Sequence, residues 1–142
     1  MQITMKMAHD EDQAHRETAV HLLQYLASTM GEEICQCFIV PEIRSLCIES
    51  SPSVRIAVSK ALLSISKIVK PIFFSQNIYP LYKELSSDRE DSVRKACAEQ
   101  VSGISEVAPN VHKETDLREL YYTFIKDKTS KLVRGTAYQS VG

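Results

Sequence analysis

The chain has 142 residues, with 17 lysines and arginines against 18 aspartates and glutamates, so its formal net charge is −1. Hydrophobic residues make up 44% and charged residues 25% of the sequence, a composition typical of a folded globular domain, which excludes wholesale disorder. The balanced charge argues against binding to nucleic acid or to an anionic membrane surface, because proteins that bind polyanions normally carry a basic excess.

Two further features bear on the cellular compartment. The sequence has no run of the roughly 18 to 20 consecutive apolar residues that a membrane-spanning helix needs, and residues 1–10 lack the apolar segment of a signal peptide. Its cysteines, which form no C-x-x-C motif, are Cys35, Cys37, Cys47 and Cys97. We therefore expect a protein of the cytoplasm or the nucleus whose cysteines are reduced, buried, small hydrophobic residues.

Apolar residues recur at steps of three and four along the whole chain, which predicts an all-α fold. In chain order, the predicted helices run from Glu11 to Met30, from Glu32 to Ile48, from Pro52 to Val69, from Ile78 to Leu85, from Val93 to Val107, from Leu117 to Ile125, and from near Thr129 to Gly142.

Glycine and proline mark several of the predicted helix boundaries. Gly31 is expected to end the first helix, and the pair Ser51-Pro52 is expected to cap and begin the third. Pro41 should either kink the second helix or begin its regular part. Pro71 is expected to end the third helix and to be followed by a short loop before Ile78.

The sequence also repeats itself with a period of about 39 residues. Acidic residues spaced by 39 are Asp10, Glu49, Asp88 and Asp127. Arginines spaced by 39, 39 and 40 are Arg16, Arg55, Arg94 and Arg134. A two-helix unit of this length exceeds the 33- and 34-residue ankyrin and tetratricopeptide units and lies at the edge of the HEAT and armadillo range.

Each acidic residue and the arginine six or seven positions later bracket the turn between two helices. We expect the acid to cap amides of the turn and to bind an arginine of its own repeat or of the neighbouring one, which would fix how repeats stack. The alternative is a set of exposed ion pairs, each contributing only about 0–1 kcal/mol.

The motif between the paired helices resembles that of HEAT repeats. It consists of an acidic residue, a turn and Val-Arg-x-Ala, as in Val54-Arg55-Ile56-Ala57 and Val93-Arg94-Lys95-Ala96. The resemblance implies a HEAT-repeat α-solenoid of antiparallel helix pairs. The predicted division is a partial repeat over 1–31, full repeats over 32–71 and 72–110, and an incomplete repeat over 111–142. We expect this to be part of a longer array, because terminal repeats normally carry a polar outer face and neither end shows one.

Three longer phrases resemble successive units of the HEAT-repeat regulatory subunits of serine/threonine protein phosphatases of the 4 and 2A type. They are Val40 to Cys47, Val93 to Glu99, and Val133-Arg134 followed by Ala137 to Gly142. The sequence departs from that pattern in its weak first unit and in the turn at 50–53, which is not acid-rich.

The resemblance implies a non-catalytic scaffold that binds a phosphatase catalytic subunit through the turns between paired helices. On this sequence, the turn residues expected to contact the partner are Glu49, Ser51, Ser53, Asp88, Arg89, Glu90, Asp91, Asp127 and Lys128. Asp10, Arg16, Arg55, Arg94 and Arg134 are expected to serve the stacking of repeats instead.

Enzymatic chemistry finds no support in the sequence. The chain contains neither G-x-S-x-G nor a glycine-rich phosphate loop, and His15 and His21 are six residues apart, which does not place them together on a helix face. We therefore expect no catalytic residue, cofactor or metal. A base-excision glycosylase is disfavoured because the chain has no tryptophan and a balanced charge. Another HEAT adaptor, such as a nuclear transport receptor or a chromosome-organising subunit, remains the alternative.

Overall fold

The computed structural model describes residues 12–48, 51–108, 116–127, 130–131 and 133–136, and these contain helices and turns but no strand. The helices are α1 (Gln13–Met30), α2 (Glu32–Ile34, Cys35–Ile39 and Val40–Leu46 in succession), α3 (Pro52–Ser66), α4 (Pro71–Phe73, Phe74–Ile78 and Tyr79–Ser86 in succession), α5 (Asp91–Val107) and α6 (Leu117–Ile125). Residues 131 and 133–136 are also helical.

The helices form two layers of a repeat solenoid. Helices α1, α3 and α5 pack side by side, and we call them the second-helix layer. Helices α2, α4 and α6 form the first-helix layer, and α4 joins α5 through a short turn at residues 87–90. The core between the layers is one continuous cluster, whose largest fully buried side chains include Leu23, Ile39, Ile43, Leu62, Ile65, Phe74, Ile78, Tyr82, Leu85, Ile104 and Phe124. The predicted all-α solenoid is confirmed.

Helices α2 and α4 each contain one π-helical turn at the same place in the repeat. The two turns are Cys35–Ile39 and Phe74–Ile78, and a proline follows each of them by two residues, at Pro41 and Pro80. Proline has no amide hydrogen, and its ring collides with the carbonyl four residues earlier in an α-helix. Because the π-turn closes its hydrogen bonds one residue further back, it widens the helix ahead of each proline. Pro41 therefore begins the regular part of its helix, one of the two predicted outcomes.

The loop predicted before Ile78 was wrong. Lys70 is extended, with ψ of 154°, and helix α4 starts immediately afterwards at Pro71. Proline is as suitable for the first helical position as for the position after a helix, so Pro71 alone did not decide between the two.

The boundary residues of the helices behave mostly as predicted. Gly31 ends α1 with a φ of +89°, a conformation that L side chains rarely adopt. Ser51 occupies the cap position of α3 with extended backbone and Pro52 follows it, but the Ser51 side chain makes no capping hydrogen bond. The hydroxyl of Ser51 is buried instead and has no partner among the described residues. Helix α1 does have a side-chain cap, because Asp12 accepts a hydrogen bond from the amide of Ala14 at 2.9 Å.

Three of the four cysteines are buried, but Cys37 is exposed, contrary to the prediction. Cys35 and Cys37 are two residues apart on α2, and helical positions two apart point in different directions, so only one of them can face the core.

Within the residues that the structure describes, no helix is both long and apolar enough to cross a membrane.

Candidate functional site

The turn between α4 and α5 is organised by Asp88. Its carboxylate accepts two hydrogen bonds from the guanidinium of Arg55 on α3, at 2.8 Å from Nε and 3.1 Å from Nη2. The same carboxylate accepts the backbone amide of Glu90 at 2.9 Å, which caps the turn. Asp88 thus holds its own turn in shape and ties it to the preceding repeat.

The next turn, after α6, repeats this arrangement. Arg94 on α5 donates from Nε to the carboxylate of Asp127 at 2.8 Å, and the amide of Ser130 donates to the same carboxylate at 3.0 Å. Arg94 also donates from Nη1 to the backbone carbonyl of Asp88 at 2.8 Å. Arg134 donates to the backbone carbonyl of Asp127 in the same way.

These contacts form a continuous row along one edge of the solenoid. Arg55 and Arg94 each bind the carboxylate of the following repeat, and Arg94 and Arg134 also bind a carbonyl in the turn of their own repeat. The side chains are largely withdrawn from solvent, with exposed fractions of 6% and 12% for Arg55 and Asp88 and 13% and 9% for Arg94 and Asp127. Because the pairs are mostly buried and bidentate, they hold neighbouring turns in fixed register.

Three of the predicted ladder and turn residues, Asp10, Glu49 and Lys128, lie outside the described residues. Arg16 is half-buried on α1. It precedes Glu49 by 33 residues, the separation found in the pairs Arg55–Asp88 and Arg94–Asp127. Pairing of Arg16 with Glu49 stays a prediction from this spacing.

The predicted partner-contact residues differ in how much surface they offer. Ser53, Arg89, Glu90 and Asp91 are exposed. Asp88 and Asp127 direct their carboxylates to arginines within the molecule, and Ser51 is buried, so these three present little surface to a partner. Their role in partner binding stays a prediction, and the exposed members are the ones placed to fulfil it.

Two grooves lie between successive turns of this edge. The first has a volume of about 450 Å³, and its lining includes Ile48, Arg55, Glu84 and Arg89. The second has a volume of about 630 Å³, and its lining includes Arg94, Tyr122, Lys126 and Asp127. Both grooves are bounded by Ser87 and Asp88. Each has an Arg–Asp pair in its lining, so the grooves recur with the period of the repeat.

Two exposed apolar side chains also lie along this edge, and the first of them was missed in the sequence. Ile48 is 78% exposed, and Tyr122 is 49% exposed with the ammonium of Lys126 5.9 Å from its ring centroid. The sequence repeat could have predicted that Ile48 is exposed. The residues one and two periods later are Ser87 and Lys126, which are polar, so this position of the repeat faces solvent and not the core.

The buried thiols are not arranged as nucleophiles. Burial, followed by the nearby charge of Glu32, raises the pKa of Cys35 to about 11. Burial, followed by the charge of Glu84, raises the pKa of Cys47 to about 12. Burial likewise raises the pKa of Cys97 to about 12. Since the thiolate is the reactive form, these cysteines are protonated and unreactive near neutral pH.

Among the described residues, no group of three or more His, Cys, Asp or Glu side chains could hold a metal ion.

These features define the class of the protein as an all-α repeat solenoid whose neighbouring helix pairs are joined by Arg–Asp pairs at their turns. No protein-family model and no curated protein sequence matches the chain.

Solved structures do match it. One is a designed armadillo repeat protein, which superposes with a TM-score of 0.63 at 17% sequence identity and covers 97% of this chain and 61% of its own. Another is described as a computationally designed armadillo repeat protein for modular peptide recognition, with a TM-score of 0.60, 18% identity and the same coverage of 97% and 61%. The chain therefore spans about three fifths of the length of these proteins, and at such low identity the likeness establishes the fold alone.

Proposed function

We propose that this chain is a non-catalytic scaffold or regulatory subunit of a serine/threonine protein phosphatase of the 4 or 2A type. The particular protein that its sequence phrases resemble is protein phosphatase 4 regulatory subunit 1. The observation that carries the proposal is the row of turns held in register by Arg55–Asp88 and Arg94–Asp127. The catalytic subunit would bind along this edge.

Preorganisation is the physical reason for choosing this edge. Ordering loops and side chains on binding costs free energy, and a surface that is already ordered avoids much of that cost. The buried ion pairs fix the turns before any partner arrives. The charges left at the surface, such as Arg89, Glu90, Asp91 and Lys126, can then act in recognition. Exposed charges at the rim of an interface mainly set specificity and association rate.

The shape of the edge also supports a protein partner over a small molecule. The grooves are open surface features that follow one another along the repeats, and exposed Ile48 and Tyr122 supply apolar contact area among the charges. Aromatic residues within a polar surface are enriched at protein interfaces. One of the similar designed proteins is described as made for peptide recognition, which is compatible with a polypeptide partner here.

The proposal is tested by reversing the charges of two basic residues that are predicted to contact the partner. We expect R89E/K128E to weaken binding of the purified chain to the phosphatase 4 catalytic subunit about tenfold, with a smaller effect at high salt. The matched control is K70E/K83E, because Lys70 and Lys83 are exposed lysines that line neither turn groove. Circular dichroism should show the same helix content for both variants. Equal retention of the catalytic subunit by R89E/K128E and wild type would refute the assignment of this surface.

A second experiment tests the phosphatase assignment itself. The full-length product is captured from cells by affinity purification, and its partners are identified by mass spectrometry. Recovery of a phosphatase 4 or 2A catalytic subunit is the expected result. Recovery of transport cargo, nucleoporins or chromosome-organising complexes would assign the chain to another class of HEAT adaptor. We expect the product in the cytoplasm or the nucleus, which imaging of the same tagged product would check.

A further inference from the structure

Ser87 is an exposed residue at the point where α4 ends and the turn to α5 begins. Its backbone amide donates to the carbonyl of Glu84 at 3.1 Å, which anchors the main chain there. No described residue forms a hydrogen bond with its side chain. The preceding serine, Ser86, is buried and donates its hydroxyl to the carbonyl of Tyr82 at 2.8 Å. Ser87 is therefore the serine hydroxyl that this turn presents to solvent.

Ser87 also lies where three grooves meet. It lines both turn grooves, and it lines a third groove of about 130 Å³ between α4 and α6 whose lining includes Lys83 and Glu119. A group attached to the Ser87 hydroxyl can enter these grooves without displacing a core side chain.

The residues after Ser87 are acidic at the first, third and fourth positions, which are Asp88, Glu90 and Asp91. Glu90 and Asp91 are exposed, whereas the carboxylate of Asp88 is bound by Arg55. Serine/threonine kinases that prefer acidic substrates use basic side chains of their own to bind carboxylates located after the acceptor hydroxyl. Glu90 and Asp91 offer such a kinase two accessible carboxylates on the same turn as the hydroxyl.

Thr29 is the one other serine or threonine of the sequence with an acidic residue three positions later. It lies in the last turn of α1, and its hydroxyl already donates to the backbone carbonyls of Tyr25 and Leu26, each at 3.2 Å. The acidic residue, Glu32, accepts hydrogen bonds from Gln36 and from the backbone amide of Lys70. Both groups that a kinase would need are therefore engaged within the molecule, unlike those at Ser87.

We infer that Ser87 is a phosphorylation site for a serine/threonine kinase that prefers acidic substrates, and that Lys126 binds the resulting phosphate. In the reaction, the Oγ atom of Ser87 forms a bond to the γ-phosphorus of ATP, and the bond from that phosphorus to the β,γ-bridging oxygen breaks to release ADP. The hydroxyl proton passes to the catalytic base of the kinase. The phosphate on Ser87 then carries a charge of about −1.5 to −2 at pH 7.

Two of the three grooves around Ser87 contain a basic residue together with acidic ones. The first turn groove contains Arg89 but also the exposed carboxylate of Glu84. The third groove contains Lys83 but also Asp116 and Glu119. In both grooves the attraction of the base for a phosphate is offset by repulsion from carboxylates.

The second turn groove differs, because both of its carboxylates, those of Asp88 and Asp127, are bound by arginines. Lys126 in this groove is exposed, lies one period of the repeat after Ser87, and forms no ion pair with a described residue. Its ammonium is 5.9 Å from the ring centroid of Tyr122, which lines the same groove. A phosphate on Ser87 can therefore form a charge-assisted hydrogen bond with Lys126.

The phosphorylation site is tested by incubating the folded 142-residue chain with ATP and casein kinase 2, an enzyme that prefers acidic substrates. Mass spectrometry locates the phosphate. We expect a single phosphate, on Ser87, and none in S87A. T29A should be phosphorylated like the wild type. Absence of phosphate, phosphate on Thr29, or phosphorylation of a peptide of residues 80–95 but not of the folded chain would each overturn the assignment.

A matched pair of variants tests whether the exposed carboxylates are recognised. E90Q/D91N should lower the rate of phosphorylation about tenfold, since two ion pairs with the kinase are lost. E99Q/E106Q removes the same amount of charge from exposed positions further along α5 and should leave the rate unchanged. Circular dichroism should show the same helix content in both variants. An equal rate in E90Q/D91N and wild type, or an equal loss in the two variants, would contradict recognition through this turn.

Phosphorus NMR of the phosphorylated chain tests the role of Lys126. A nearby ammonium favours the dianionic phosphate, so the second pKa of the phosphate should be higher in K126Q than in the wild type, by about 0.3. K70Q is the control, because Lys70 is exposed and lines none of the three grooves around Ser87. The same pKa in K126Q and wild type, or an equal rise in K70Q, would show that Lys126 does not bind the phosphate.

The inference does not rest on the proposed phosphatase function, because these experiments use only the chain and the kinase. Failure of the kinase to modify Ser87 leaves the proposed binding of a catalytic subunit to the turn edge intact. Failure to capture a phosphatase catalytic subunit likewise leaves the phosphorylation result intact.

Discussion

Arg55 shows how a single residue of the repeat motif acts in the folded chain. Its guanidinium is buried and donates two hydrogen bonds to Asp88, a residue 33 positions later. Lys95 and Glu99, by contrast, form an exposed ion pair within one helix. Their charged atoms are 3.5 Å apart, and each side chain is about 40% exposed. Buried and exposed ion pairs differ in what their removal does, because only the buried one leaves a carboxylate without its partner in a poorly solvated place.

We expect R55M to lower the free energy of unfolding by about 2–4 kcal/mol, because methionine keeps the aliphatic volume but leaves the carboxylate of Asp88 without the guanidinium. The control K95Q should change it by less than about 0.5 kcal/mol. Urea unfolding followed by circular dichroism measures both. Similar small changes in the two variants would show that the Arg–Asp row contributes no more than surface ion pairs do.

The sequence predicted the members of the Arg–Asp row but not how they are connected. Arg94 is six residues after Asp88 and 33 before Asp127, and both separations are compatible with contact in a two-helix repeat. Which of the two residues Arg94 binds depends on how the helices pack. In the folded chain, Arg94 binds both of them, through the carboxylate of Asp127 and the backbone carbonyl of Asp88.

At the scale of helices, periodicity predicted most elements and failed at the start of α4. That start was misplaced because Pro71 was interpreted as the end of the third helix, whereas it occupies the first position of α4. The π-turns at Cys35–Ile39 and Phe74–Ile78 were not predicted either. No residue type favours a π-turn strongly enough to reveal it locally. The repeat could have revealed it, because Pro41 and Pro80 are 39 residues apart and each follows a π-turn. The exposed groove residue Ile48 was also missed, although the polar residues at the same repeat position, Ser87 and Lys126, indicate a surface position.

The core around α4 contains buried groups that are sensitive to alkaline pH. Tyr82 is fully buried and donates its hydroxyl to the carbonyl of Cys97 at 2.6 Å, and burial raises the pKa of Tyr82 well above 10. The pKa values of Cys97 and Cys47 are raised by burial from 9.0 to about 12. Folding therefore favours the protonated forms, and the stability that they contribute is complete below pH 9 and is lost as the pH rises from 9 towards 12.

We expect the free energy of unfolding of the wild-type chain, kept reduced, to fall between pH 8 and pH 10, with each buried thiol contributing about 1 kcal/mol to the fall. C47A/C97A should show a fall that is smaller by about 2 kcal/mol, although its stability at pH 8 is lower because of the lost side-chain volume. C37A, which alters the exposed cysteine, should retain the full wild-type fall. Urea titrations at each pH provide the measurement. A wild-type slope no steeper than that of C47A/C97A would contradict the role assigned to the buried thiols.

At the scale of the whole molecule, the stability of a solenoid arises from contacts between neighbouring repeats. Helix α3 packs against α1 on one side and α5 on the other, whereas α1 and α5 do not share a comparable interface. The Arg–Asp pairs follow the same rule, since each joins one repeat to the next. In such an array, a local change weakens its own interface and the adjacent ones, and its effect declines with distance along the array.

Hydrogen exchange of R94M tests this expectation. Loss of the Arg94–Asp127 pair should reduce amide protection most in α5 and α6, less in α4, and least in α1, because α1 contacts none of the altered groups and local opening follows local contact energy. K95Q changes a residue of the same helix next to Arg94 and should leave protection close to wild type throughout. A uniform loss of protection from α1 to α6 in R94M would show that the chain unfolds as one cooperative unit. The order of the turns would then depend on the global stability of the chain and not on the ion pairs alone.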